Sequence, residues 1–204
     1  MPSLQTYYKN LQFECGCDEA GRGCLAGPVF AAAVILDNNC PIAGLDDSKK
    51  LSAGRRALLR DEIEQKCHSW AVAWLEVDDI DRHNILQASL MAMRQAIAAL
   101  AVRPLSVIVD GNQPIPGLNI PQSCHVNGDA SFESIAAASI LAKTHRDEWM
   151  QRLHLQFPEY GWMQNKGYAT EFHRKAIFTH GLTEHHRKSF SISMNFNGST
   201  DGTS

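Results

Sequence analysis

Long apolar runs are missing from this sequence. The longest lies within residues 28–36, far short of the roughly 20 residues that a membrane-spanning helix needs. Residues 1–10 are polar and carry no signal-peptide core, so a cytoplasmic protein with no membrane partner is expected. The six cysteines show no C-x-x-C spacing, and Cys15, Cys17 and Cys24 fall in or beside apolar, β-prone stretches where a thiol serves as a small hydrophobic group. A disulfide framework and a structural zinc site are therefore both disfavoured. Nine histidines occur without an H-E-x-x-H, and the neighbours His185 and His186 point in different directions on either a helix or a strand. Neither a G-x-S-x-G elbow nor a Walker A loop is present, which sets aside acyl transfer by a serine triad and nucleoside triphosphate hydrolysis.

A broad basic excess is lacking as well. The formal net charge is −3, which argues against an affinity built only on covering phosphates with lysine and arginine. The distribution is uneven: residues 143–188 hold eight Lys or Arg against five Asp or Glu, so the second half carries the basic face. At 204 residues, 44% hydrophobic and 20% charged, the chain suits one domain with a sizeable core. No internal repeat or Pro/Gly-rich linker divides it, and the polar Gly/Ser/Thr stretch 195–204 reads as a disordered tail.

What is present is led by the adjacent acids Asp18 and Glu19. An apolar segment, 11–17, runs into them; Ala20, Gly21, Arg22 and Gly23 follow; and 28–36 reads as a second strand, the two forming a hairpin. The pair thus falls where a strand ends and a glycine-rich turn begins. Adjacent carboxylates repel and raise each other's proton affinity, so a site that keeps both ionised needs a cation to share. Glycine lets backbone approach a ligand closely, and Arg22 can meet a phosphate. Taken alone, the same residues also suit a solvated turn.

Further along, a polar loop at 45–51 leads into a helix from 52 to 67, with Ser52 as its N-cap. Residues 69–77 read as a third strand. Ile85, Leu86, Leu90, Met93, Ile97 and Leu100 recur at helical spacing, predicting one amphipathic helix over 79–100 with Asp78, Asp79 and Asp81 as charges at its start. Residues 105–110 form a β-branched run consistent with a buried central strand, so Asp110 emerges at a strand end beside Gly111. A short strand near 120–126 leads to Asn127, Gly128 and Asp129. From Ser131 a second long helix begins, with an alanine-rich middle suited to close packing on a sheet. The pattern predicts a mixed α/β sheet flanked by helices, with a helical C-terminal extension.

Asp18, Glu19, Asp110 and Asp129 share a property that Asp46, Asp61 and Asp147 lack: each ends an apolar segment beside glycine, where strand ends converge at one edge of a sheet. Four carboxylates gathered there destabilise one another unless they hold hard cations, and oxygen-only donors favour Mg²⁺ or Mn²⁺. Two such ions suit hydrolysis of a phosphodiester backbone.

The motifs DEAGRG at 18–23, DSKKL at 47–51, DG at 110–111, GDA at 128–130, SIAAASILAKTHRD at 134–147, YG at 160–161, KGY at 166–168 and HGLTEHHRKSF at 180–190 together resemble bacterial ribonuclease HII over nearly the whole chain. The resemblance implies a ribonuclease H-like fold over 1–190, with 191–204 as the tail. It implies endonucleolytic cleavage of RNA in RNA/DNA hybrids and at ribonucleotides embedded in duplex DNA, with Mn²⁺ or Mg²⁺ held by Asp18, Glu19, Asp110 and Asp129. It also implies that Gly21, Arg22 and Gly23 sense the 2′-hydroxyl and that Tyr168 stacks on the sugar at the RNA to DNA junction. Without it, Tyr168 reads as a packed aromatic after a turn. Lys49, Lys50, Lys143, Arg146, Lys166 and Arg187 lie inside the matching motifs and are expected to contact phosphate or support the site, Lys143 and Arg146 also being able to pair acids on their own helix. His185 and His186 suit either the substrate backbone or packing. Cys24 stands where many relatives have proline and is read as packing behind the loop. A monomer is expected, and engagement of a sliding clamp is left open. The rivals are a metal nuclease of the resolvase or integrase kind acting on DNA alone and a non-catalytic hybrid-binding protein. The four acids argue against the latter, because they repel phosphate unless metal is present.

Overall fold

The computed structural model describes residues 4–8 and 12–191. Its five-stranded sheet is built from β1 (Glu14–Ala20), β2 (Val29–Ile35), β3 (Ser69–Leu75), β4 (Ser106–Asp110) and β5 (Gln122–His125), in the spatial order β3-β2-β1-β4-β5. β2 is antiparallel to both β1 and β3, whereas β4 runs parallel to β1 and to β5. The expected hairpin and mixed sheet are both present. β2 reads VFAAAVI and is buried at every position, as a strand covered on both faces must be.

The helices are α1 (Ala53–Lys66), α2 (Val77–His83), α3 (Ile85–Ala98), α4 (Glu133–Gln156), α5 (Trp162–Asn165) and α6 (Glu171–His180), with single 3-10 turns at Gly128–Ala130 and Pro158–Tyr160. Alternation along β2 sends Ala31, Ala33 and Ile35 to a core shared with α3, and Ala32 and Val34 to a core shared with α1 and α4. The carboxyl-terminal helices close a third cluster around Met150, Tyr160 and Trp162. Ser52 caps α1 as expected, its side chain accepting from Arg55 N at 3.2 Å.

Three expectations are corrected. The helix anticipated over 79–100 is two helices, because Asn84 takes φ +65° between them and its side chain caps α3 by accepting from Gln87 N at 3.1 Å. Asp78 and Asp79 occupy the first turn of α2, but Asp81 instead accepts from the backbone N–H groups of Lys188 and Ser189, each at 3.0 Å. Finally, β1 does not stop before the acid pair; it carries both acids and ends at Ala20. Leu11, the predicted start of that strand, lies outside the described residues, as does the predicted tail beyond Ser191.

The packing of α4 on β1 requires one glycine. A Cβ on Gly16 would stand 2.2 Å from Ser134 C and 2.4 Å from Ile135 N, both backbone atoms, so no side-chain rotation relieves the clash. At Gly23 a Cβ would meet nothing within 4 Å. Gly16→Ala is therefore expected to lower the unfolding free energy by about 2–3 kcal/mol, and Gly23→Ala to change it by less than about 0.5 kcal/mol. Chemical denaturation of the two variants checks the contrast.

Candidate active site

Parallel pairing of β1 with β4 matches Cys17 with Val109, and the next residue on each strand is an acid, Asp18 and Asp110. Gly128, following β5, donates its N–H to Asp110 Oδ1 at 2.7 Å, which draws the turn bearing Asp129 onto the same sheet edge. Neighbouring strand residues face opposite sides: Asp18 turns toward Ser139 of α4, while Glu19 lines a crevice with Arg22, Leu90, Met93 and Asp110 on the α3 side. Asp18 and Asp129 are only 4% and 3% exposed.

Burial is the largest influence raising the pKa of Asp18 well above the carboxylate range, and Glu19 and Asp110 add to it, opposed by hydrogen bonds from Ser139 and the Glu19 N–H. Burial also raises Glu19, with Arg22 opposing and Asp110 reinforcing. Asp129 is raised by burial, lowered by Lys49, and raised by Asp110 and Asp47. The four acids predicted from the sequence thus feel one another. Two cations reach them: Lys49 Nζ lies 3.4 Å from Asp129 Oδ2, and Arg22 Nη1 lies 3.2 Å from Glu19 Oε1. Among the described residues, no three His, Cys, Asp or Glu side chains are already closed around one point tightly enough to hold an ion. The donor chemistry still fits a hard divalent cation, since four mutually repelling carboxylates present only oxygen and the nearest balancing charges are exposed side chains.

Two loops stand beside the acids, and buried arginines hold them. Arg146, fully buried, donates to Pro28 O at 2.9 Å, Ala26 O at 3.0 Å and Lys166 O at 2.9 Å, joining the 21–28 loop to the 166–168 turn. Arg187, 1% exposed, donates to Gly27 O, Arg22 O and Pro28 O. Burial and the neighbouring Arg146 push Arg187 down to about 10, so it stays charged near neutrality. Both side chains are supports: with their donors spent on carbonyls beneath the loop, the expected phosphate contact is not available to them, nor does Arg146 pair an acid. A Cβ on Gly21, at φ +96°, would stand 2.0 Å from Arg146 Nε, so glycine is required there twice over.

The remaining candidates are distributed around this frame. Tyr168 is 42% exposed, its backbone bridging Cys24, which is fully buried behind the loop. Lys143 Nζ stands 5.8 Å from the Tyr168 ring centre and 2.6 Å from Asp147 Oδ1. Lys166 Nζ donates to Met163 O at 2.5 Å, and Lys50 pairs with Asp46 at 3.2 Å, away from the acids. His186 is fully buried and has no path to a substrate; His185 is partly buried against Phe157.

The ribonuclease HII family model matches residues 15–193, across the whole acid-bearing sheet and the carboxyl-terminal helices. The chain belongs to the ribonuclease HII family. A ribonuclease HII of Parabacteroides distasonis is 51% identical over 189 residues, covering 93% of this chain and 95% of that relative. The structure of the PCNA:RNase HII complex from Archaeoglobus fulgidus superposes with TM-score 0.73 at 27% identity, over 86% of this chain and 92% of that one. Bst-RNase HIII in complex with Mn²⁺ shares the fold, with TM-score 0.70 at 20% identity, over 88% of this chain and 67% of that one. The protein is accordingly a nuclease of the ribonuclease H type, a class that acts on RNA/DNA hybrids.

Sequence reasoning missed two members of the site region. Ser139 of α4 stands beside Asp18 and favours its charged form, and its Oγ lies 2.9 Å from Ser48 Oγ, tying the 47–51 loop to the same helix. The available signal was a serine set among the buried alanines of α4. Because Asp18 carries unrelieved repulsion, Asp18→Asn is expected to raise the thermal midpoint in chelator by about 2–4 °C. If the acids hold a divalent cation, the same change should remove most of the stabilisation seen on adding Mg²⁺ or Mn²⁺ to the unmodified protein. Thermal melts of both proteins with and without metal test this, and a lower midpoint for the variant in chelator would show that the crowding is not destabilising.

Proposed function

We propose that the protein cleaves RNA in RNA/DNA hybrids and also nicks duplex DNA on the 5′ side of embedded ribonucleotides, leaving a 3′-hydroxyl and a 5′-phosphate. The observation that carries this reading is the loop at Gly21, Arg22 and Gly23, pinned from beneath by Arg146 and Arg187 and set directly beyond Asp18 and Glu19. Open space lies where a Gly23 side chain would be, so a ribose can bring its 2′-hydroxyl to main-chain donors and acceptors. Tyr168, held half exposed at the bridge to Cys24, supplies a flat face for the sugar at the junction.

Asp18, Glu19, Asp110 and Asp129 are the groups that would hold Mn²⁺ or Mg²⁺. Bound there, the ions supply a water activated at neutral pH and neutralise charge building on the phosphate and leaving oxygen. The chain's own part is to hold the acids in register and keep the scissile phosphate aligned. Lys49, Lys143 and Lys166 contribute phosphate contacts, and Arg22 is free to exchange Glu19 for a phosphate oxygen. The 2′-hydroxyl serves recognition and is not the nucleophile.

A duplex carrying one ribonucleotide, incubated with Mn²⁺ or Mg²⁺, should yield a single nick whose 3′ end a polymerase extends. A 2′,3′-cyclic phosphate would overturn the water route, and equal cutting of an all-DNA duplex would favour a DNA nuclease. Asp110→Asn should reduce cleavage by about a thousandfold or more while substrate binding persists. An active variant would remove Asp110 from its proposed role.

A further inference from the structure

The carboxyl-terminal helices enclose polar rings that the proposed chemistry does not use. Trp162, His173 and His186 are all fully buried, so each ring nitrogen must find a partner within the protein. The Thr183 backbone N–H donates to His186 Nδ1 at 2.9 Å, with the Thr183 hydroxyl 3.0 Å from the same atom. A ring nitrogen that accepts an N–H carries no proton, so neutral His186 has its proton on Nε2. That Nε2 lies 3.2 Å from His173 Nε2, which also accepts the Trp162 indole N–H at 3.0 Å. His173 therefore keeps its own proton on Nδ1, and Nδ1 donates to the carbonyl of Tyr168 at 2.9 Å. Burial lowers the pKa of both imidazoles, that of His186 to about 4, consistent with two neutral rings whose tautomers are set by one backbone amide and one indole.

The chain of donors ends at Tyr168, whose ring also has Lys143 Nζ 5.8 Å from its centre and the Cys24 side chain beside it. Tyr168 is anchored through its backbone: its N–H donates to Asn165 O at 2.8 Å, and its carbonyl takes one bond from Thr170 N at 2.8 Å and the second from His173. We propose that His173 is a positioning residue, whose Nδ1–H, directed by Trp162 and His186, fixes the Tyr168 carbonyl and through it the angle at which the Tyr168 ring meets the substrate sugar. This rests on the reading of Tyr168 as the junction-facing residue.

Two substitutions separate the roles of the ring nitrogens. His173→Asn keeps an amide donor near the Nδ1 position, whereas His173→Gln places its amide near Nε2 and leaves the Tyr168 carbonyl with one partner. For a duplex with a single ribonucleotide, His173→Gln should raise KM about fivefold, the worth of one lost neutral hydrogen bond. Its kcat, and both constants of His173→Asn, should stay within about twofold. In a Tyr168→Ala background His173→Gln should add less than about twofold, since its effect is transmitted through Tyr168. Imidazole ¹⁵N NMR of the unmodified protein should show a protonated Nδ1 on His173 and a protonated Nε2 on His186, a readout that needs neither a folded variant nor activity. Reversed tautomers, or a full His173→Gln effect in the Tyr168→Ala background, would overturn the positioning role while leaving Tyr168 in the site. Tyr168→Ala with unchanged KM and kcat would instead overturn the reading of Tyr168, and the positioning role with it.

Discussion

Repulsion among carboxylates at the ends of two adjacent parallel strands is the constraint around which this molecule is arranged. Parallel pairing fixes Asp18 and Asp110 at the same level, and the hydrogen bond from Gly128 to Asp110 brings Asp129 to them. Left in water these groups would stay apart and ionised. Here burial and mutual charge raise Asp18, Glu19 and Asp129. The stabilising parts of the fold offset this from a distance: a continuously apolar β2, and an α4 that approaches β1 closely because position 16 has no side chain. Stability is concentrated behind the site so that the site itself can remain unfavourable without cation, which is the usual relation between function and local strain.

The second organising element is a pair of buried guanidinium groups that have no carboxylate partner among the described residues. Arg146 and Arg187 are satisfied by backbone carbonyls of the 21–28 loop and the 166–168 turn. Lysine would not serve, because its three donors radiate from one point whereas the planar fork spans several carbonyls in a fixed geometry. The loop's carbonyls are thereby turned inward. Segments remote in sequence are locked together, so the conformational entropy of both loops is spent during folding, and on the proposed reading none of it is left to be lost on binding.

Much of the fold was legible because its signals are local. The unbroken apolar run of β2, the Ser52 cap and the alanine-rich face of α4 each declare themselves within a few residues. The four acids were legible for a related reason: strand ends beside glycine are sequence features, and parallel neighbours bring strand ends together. The Asn84 break was not, since the acids at 78–81 suit the first turn of the helix whose apolar stripe begins at Ile85, and only an asparagine at positive φ marks the corner. Burial of Arg146, Arg187 and His186 was hidden for a different reason. A charged or polar side chain enters a core only if partners await it there, and those partners are main-chain carbonyls and ring nitrogens supplied by elements up to 165 residues away in the chain. Nothing in the local pattern of residues 143–188 records that arrangement.

The charge distribution takes on a different meaning once these partners are known. The basic excess of residues 143–188 suggests an electropositive platform for nucleic acid, but much of it is consumed internally. Arg146 and Arg187 face carbonyls, Arg152 pairs with Glu148, Lys175 pairs with Glu171, and Lys143 is shared with Asp147. The cations nearest the acids, Lys49 and Arg22, already lean on Asp129 and Glu19. A protein of net charge −3 with so little uncommitted positive charge near its carboxylates gains little from counterion release alone. On the proposed reading, divalent ions held by the four acids would serve binding as much as chemistry: a patch that repels phosphate would become one that attracts it, and Arg22 and Lys49 would be available to phosphate. Recognition would then fall to shape: on the same reading, a pinned glycine loop and an exposed tyrosine would tell a ribose from a deoxyribose more sharply than an array of charge.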